Sequence, residues 1–177
     1  MIILFFLLCL YALLGSVDVV YFHIYKFKLY EKPGSRSEHL THLSRALIFL
    51  CVVLWVLLVQ AKGIYSLILP ALLIFDLINS LIDVYLEPKS RISLGGLPPL
   101  EYLVHMLSMF TNGAILTLSV IESAKVFQQN SEVSFHVLDM PQQFVMQGVV
   151  TAFITLLLFL FEGFQFMRNL TAKKGTS

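Results

Sequence analysis

The sequence predicts an all-α, polytopic membrane protein. Three observations carry that reading: 58% of the 177 residues are hydrophobic, only 13% are charged, and the mean hydropathy is +0.83. This apolar content exceeds that of a soluble domain of similar size. Apolar runs of about 20 residues, the length that crosses a hydrocarbon core, recur five times, over 2–25, 40–59, 64–86, 100–121 and 144–167. No linker or low-complexity tract divides them, so residues 1–177 read as a single integral membrane domain.

The first span has neither a basic leader nor a small-x-small cleavage site and is expected to be a retained helix rather than a signal peptide. Ser35 and Glu38 have the spacing of a capping box at the start of the second. Pro70 is expected to bend the third, Pro98-Pro99 marks the start of the fourth, and Pro141 opens the fifth. Between the last two, Phe127, Val133, Phe135 and Leu138 stand among polar residues, as in a segment lying along a membrane interface. His136, in the same segment, reads as a surface residue. Phe159, Phe161, Phe164 and Phe166 read as lipid-facing and interhelical packing, and Glu162 is expected to pair with Arg168.

Basic residues set the expected orientation. Lys26, Lys28, Lys32 and Arg36 follow the first span, Lys89 and Arg91 the third, and Arg168, Lys173 and Lys174 the fifth, against Lys62 and Lys125 on the other side. The positive-inside rule then places the N-terminus outside and the C-terminus in the cytoplasm, and a bacterial inner membrane is the expected location. A net charge of +1 provides no basic face for nucleic acid. Cys9 and Cys51 lack CxxC spacing and read as buried apolar residues.

Two stretches repeat one pattern. Glu38-His39-Leu40-Thr41-His42 and Glu101-Tyr102-Leu103-Val104-His105 share a Glu, a Leu two residues on and a His four residues on. Upstream of each lies an Asp-Val pair, Asp18-Val19 or Asp83-Val84, followed by a further potential ligand, His23 or Glu87. The first four helices are therefore expected to form an antiparallel bundle of two pseudo-repeated hairpins, with these groups at one end. Helical spacing places Glu101, His105, Ser108 and Asn112 on one stripe, Asp76, Ser80, Asp83 and Glu87 on another, and Glu38, His42 and Arg45 on a third, with His39 at its margin. Asp18 and His23 are five residues apart and share a face only if the first helix is distorted or ending.

Intramembrane carboxylates are costly, about 2.5–3.5 kcal/mol each at a helix centre, and so mark function when they cluster. Carboxylates with neutral imidazoles are the ligand set of paired iron or manganese ions. The expected metal ligands are Glu38, His42, Glu101, His105, Asp83, Glu87, Asp18, His23 and His39, with Arg45 orienting a carboxylate or an anionic headgroup. The strategy resembles that of ferritin-like di-metal carboxylate proteins, although those carry Glu-x-x-His and this chain Glu-x-x-x-His. The HxxHH boxes of membrane desaturases are absent. The expected activity is oxidation of a lipid or quinone-like substrate from the bilayer by a metal-dependent oxidoreductase.

Competing readings are a b-type haem held by His42 and His105, an ion or proton carrier using Asp76, Asn79 and Asn112, and a non-enzymatic scaffold. Singly, Glu38 and Glu101 also fit helix capping and helix-dipole roles, and Asp83 and Glu87 fit salt bridges to Arg45, Lys89 or Arg91. No nucleophile-elbow glycines surround Ser37, Ser44, Ser90 or Ser108, which disfavours a serine hydrolase.

Overall fold

The computed structural model describes residues 2–92, 95–135 and 141–174. His136 and Leu138 lie outside them. Among the described residues, five helices are long and apolar enough to cross a membrane: 3–26, 36–58, 63–91, 99–126 and 142–168. Each overlaps the corresponding run of the sequence, the last three extending it at both ends, while the second starts four residues earlier and stops at Leu58, before Val59 enters a strand.

The first begins as α1 (Ile2–Ser16), built of Leu, Ile, Phe and Ala, and continues as a π-helix over Val17–Lys26. Phe27 N–H closes it on the carbonyl of Phe22. Two 3-10 turns, Leu29–Glu31 and Pro33–Ser35, then lead into α2 (Arg36–Leu58). The capping box does not form. Ser35 Oγ donates instead to the carbonyls of Leu29 (2.5 Å) and Lys32 (2.9 Å), tying down the turn and leaving Glu38 free for the bundle interior.

After α2, β1 (Val59–Lys62) pairs antiparallel with β2 (Glu132–Phe135), with Val59 opposite Phe135 and Lys62 opposite Glu132. A 3-10 turn at Gly63–Leu67 enters α3 (Ile68–Arg91). Pro70 thus occupies the first turn, where a missing N–H costs nothing, and does not bend the middle of the span. The proline inside the helix is Pro88. A turn with positive φ at Gly95 and Gly96 leads to α4 (Pro99–Val126), and α5 (Gln142–Lys174) is the last of the described helices.

Gly63 fixes the ribbon. Its φ is +58°, and a Cβ there would lie 2.5 Å from Ser131 Oγ and 2.8 Å from the Gln129 carbonyl oxygen. Ser131 Oγ also accepts the Ile64 N–H. Gly63→Ala is therefore expected to destabilise the protein by about 1–3 kcal/mol, read as a lower thermal midpoint in detergent.

α2 packs on α3 and α5, α3 also on α4, and α1 mainly on α4. α3 and α4 form a packed hairpin, and α1 meets α2 where the Tyr11 ring lies edge-on to Phe49 at 5.3 Å and its hydroxyl accepts from Arg45. Apolar side chains fill the half of the bundle nearer the ribbon: Phe5, Leu8, Phe49, Val52, Val53, Val56, Leu73 and Ile115 are buried. Outward-facing Phe153, Phe161 and Phe164 present the apolar surface of a lipid-facing helix. The alternating directions of the helices bring the end of the first span, the start of α2, the end of α3 and the start of α4 together.

Candidate metal centre

At that shared end lie Asp18, His23, Glu38, His42, Asp83, Glu87, Glu101 and His105, all buried. The π-helix explains how the first span contributes twice. Its hydrogen bonds reach the fifth residue rather than the fourth, so residues five apart fall near one face. Asp18 and His23 both point inward, with His23 Nε2 3.6 Å from Asp18 Oδ1.

His23 Nε2 also lies 3.7 Å from Glu38 Oε1 and 3.4 Å from Glu101 Oε1, which links three helices through one atom. His105 places Nε2 2.9 Å from Asp18 Oδ1 and Nδ1 3.3 Å from Glu87 Oε2. His42 Nε2 is 3.2 Å from Asp83 Oδ2, and its ring meets that of His23 edge-on at 4.1 Å. Two sets have the compactness of a metal shell, Asp18-His23-Glu101-His105 and His23-Glu38-His42. A bond of about 2.1 Å sets neighbouring ligand atoms about 3.0 Å apart in octahedral and about 3.4 Å apart in tetrahedral geometry. The observed separations bracket these values.

Several ligand atoms are unsatisfied. Glu38 Oε1, His42 Nε2, Glu87 Oε1 and Glu101 Oε2 are buried with no hydrogen-bond partner among the described residues. Glu38 Oε1, His42 Nε2 and Glu87 Oε1 do have charged neighbours within ion-pair distance, but without hydrogen-bond geometry. Such atoms carry a desolvation cost that a bound cation would remove.

The residue whose importance sequence reasoning missed is Arg91, considered only as a salt-bridge partner. Expected in a cytoplasmic loop, it ends α3 with 0% of its side chain exposed. Its fork holds both oxygens of Glu38 from Nη1 (2.8 and 2.9 Å) and Glu101 from Nη2. Nη2 also lies 3.5 Å from Glu87 and 3.3 Å from His23 Nε2. The guanidinium thus spans both ligand sets. The salt-bridge role considered for Glu87 is present, as is that for Asp83, 3.5 Å from Arg45.

Around the ligands, Thr41 Oγ1 lies 2.5 Å from Asp83 Oδ1, and Asn79 donates to Thr41 O and Ser44 Oγ, both at 2.8 Å. Deeper in the bundle, Tyr11 donates to Asp76 Oδ2, which Asn112 also reaches at 2.6 Å, while Arg45 Nη2 donates to Tyr11 at 3.1 Å. His39 stands apart from the cluster. Its Nε2 is 2.7 Å from Glu162 on α5, and its ring lies edge-on to Phe166, so its contacts join α2 to α5.

Of seven buried carboxylates among the described residues, Glu162 pairs with His39, and the other six, Asp18, Glu38, Asp76, Asp83, Glu87 and Glu101, share this half of the bundle with two guanidiniums, Arg45 and Arg91. With neutral imidazoles, four negative charges remain uncompensated, a balance that two divalent cations would meet. The chain matches no protein-family model, and no curated protein or solved structure matches it.

Proposed function

We propose that the protein is a membrane-embedded metal protein whose first four spans hold two divalent ions, iron or manganese, and that it oxidises a lipid-soluble substrate with dioxygen as the electron acceptor. One observation carries this reading: ligand groups from the first span, α2 and α4 converge in one buried cluster with shell-like separations, with Asp83 and Glu87 of α3 set against its histidines. Carboxylate and imidazole without thiolate suit iron and manganese. When bound, the ions would supply Lewis-acid and redox chemistry. Glu38, His42, Glu101, His105, Asp18 and His23 would hold them, with Asp83 and Glu87 completing or bridging the pair. Lys26, Lys28, Lys32, Arg36 and Lys89 favour a cytoplasmic location for this end, with the N-terminus outside.

The haem reading is disfavoured because His105 engages carboxylates through both ring nitrogens and His42 is closely flanked by Asp83. The carrier reading is disfavoured because buried Leu73 and Ile115 form an apolar layer that separates Asp76 and Asn112 from Ser119 and Ser123 further along α4. A scaffold held by ion pairs alone has Arg91 and Arg45 in its favour.

Elemental analysis of protein purified without chelators separates the two remaining readings. About two equivalents of iron or manganese per chain are expected, and Glu38→Gln should lose metal while retaining helicity by circular dichroism, since it removes the charge but keeps the shape. Metal-free wild-type protein that takes up neither ion would leave the ion-pair scaffold.

A further inference from the structure

Beside the cluster, a cleft opens between α1, α2 and α5 that the proposed ligands only border. We propose that it binds an uncharged, lipid-soluble molecule with a hydroxyl head, such as a long-chain alcohol or a hydroquinone. The binding stands on the cleft itself, and only the fate of the bound molecule rests on the metal-centre reading.

Much of the wall is apolar, from Ala12, Gly15, Ala46, Phe49 and Leu158, with Thr155 and Glu162 of α5 on one side. A Cβ built on Gly15 meets nothing within 4 Å, so the space beside this helix is open. The outward-facing Leu13 and Phe161 on the same two helices give the cleft a lipid-facing surround. An apolar tail is suited to such walls.

The polar end of the cleft selects the head. Asp76 is buried, with Oδ2 taken by Tyr11 and Asn112 and Oδ1 lacking any hydrogen-bond partner among the described residues. A buried carboxylate oxygen without a donor is costly, and a hydroxyl would satisfy it. Arg45, with donors facing Tyr11, Asp76 and Asp83, could be shared with the oxygen of the same hydroxyl.

Charge excludes the anionic alternative. Arg45 is already set against Asp76 (3.8 Å) and Asp83 (3.5 Å), and Asp18 also lines the cleft. A carboxylate or phosphate head would add negative charge to a site where acids outnumber the guanidinium. The anionic headgroup expected of Arg45 from sequence is therefore replaced by a neutral one.

Position connects the cleft to the cluster. Asp18 and His42 line both, while Tyr11 lies seven residues before Asp18, about 10 Å along a helix toward the bilayer interior. A hydroxyl bound between Asp76 and Arg45 would lie on the membrane-interior side of the metal ligands.

The test is photolabelling of the full chain in nanodiscs with a diazirine-bearing long-chain alcohol, mapped by peptide mass spectrometry. Labelling should concentrate on the segments of α1, α2 and α5 that line the cleft. Decanol and decylhydroquinone should compete, and decanoate should not. Gly15→Phe, which fills the cleft, and Asp76→Asn, which weakens the acceptor, should each lower labelling about tenfold or more. Labelling spread evenly over the lipid-facing surface, equal competition by decanoate, or insensitivity to both variants would overturn the proposal. Metal content is read on the same samples. The expected labelling in protein that takes up no metal would keep the cleft and remove the metal centre, so the two readings fail separately.

Discussion

Arg91→Gln is expected to cost the metal-free protein about 3–5 kcal/mol, a fall in thermal midpoint on the order of 10 °C in detergent. The magnitude follows from what the guanidinium touches. It is fully buried and is shared by Glu38, Glu87 and Glu101, so its loss leaves three interior carboxylates without their principal cation. Glutamine retains hydrogen-bonding capacity but no charge. Arg91→Lys, which keeps the charge and loses the two-pronged geometry, should fall between the variant and wild type. The metal-centre reading adds a second result. Manganese or iron(II) should raise the midpoint of Arg91→Gln by more than that of wild type, because the ion replaces the missing positive charge. Saturation to about a hundredfold above Kd is worth about 2.7 kcal/mol. A variant that melts early and is not restored by any divalent cation would show that these carboxylates serve the guanidinium alone.

What was legible in the sequence is what depends on periodicity. Hydropathy located each span because a membrane helix must be apolar over a fixed length. Spacings of four, seven and eleven residues identified the stripes of α3 and α4, and Asp83, Glu87, Glu101, His105, Ser108 and Asn112 are all buried. The alternation of helix direction then brought the motifs to one end. These inferences need only the regular helix and the bilayer.

What was not legible departs from that regularity or depends on particular partners. The π-helix at Val17–Lys26 changes which residues share a face, and only the awkward five-residue interval between Asp18 and His23 pointed to it. Arg91 stands among Lys89, Pro88 and Ser90 in a stretch that reads as a basic loop. It is interior because α3 continues through Pro88, which hydropathy cannot show. Glu38 matched a capping spacing, yet Ser35 turned to the preceding loop carbonyls and Glu38 to Arg91. Lys62 and Glu132 face one another across a ribbon formed by segments seventy residues apart, a pairing with little local signal. His39 shares a motif with His42 but lies far enough around α2 to meet Glu162.

His23→Ala is expected to cost more metal than either His42→Ala or His105→Ala. His23 belongs to both compact ligand sets, whereas His42 belongs to one and His105 to the other. An imidazole nitrogen has one lone pair and serves one ion at a time, so His23 would bind one ion directly and stand against the shell of the second. With two ions in wild type, the His42 and His105 variants should each retain about one equivalent, since each leaves the opposite set intact. The His23 variant should retain less than one, with the affinity for any residual ion lowered by more than about a hundredfold. Exogenous imidazole gives a readout that a merely structural role would not move. It should occupy the space left by the ring and restore metal to His23→Ala, while leaving Arg91→Gln unchanged. Equal losses in all three variants would mean that the sets bind as one indivisible shell around a single ion. Full retention in His23→Ala would exclude His23 and leave the π-helix without a role in metal binding.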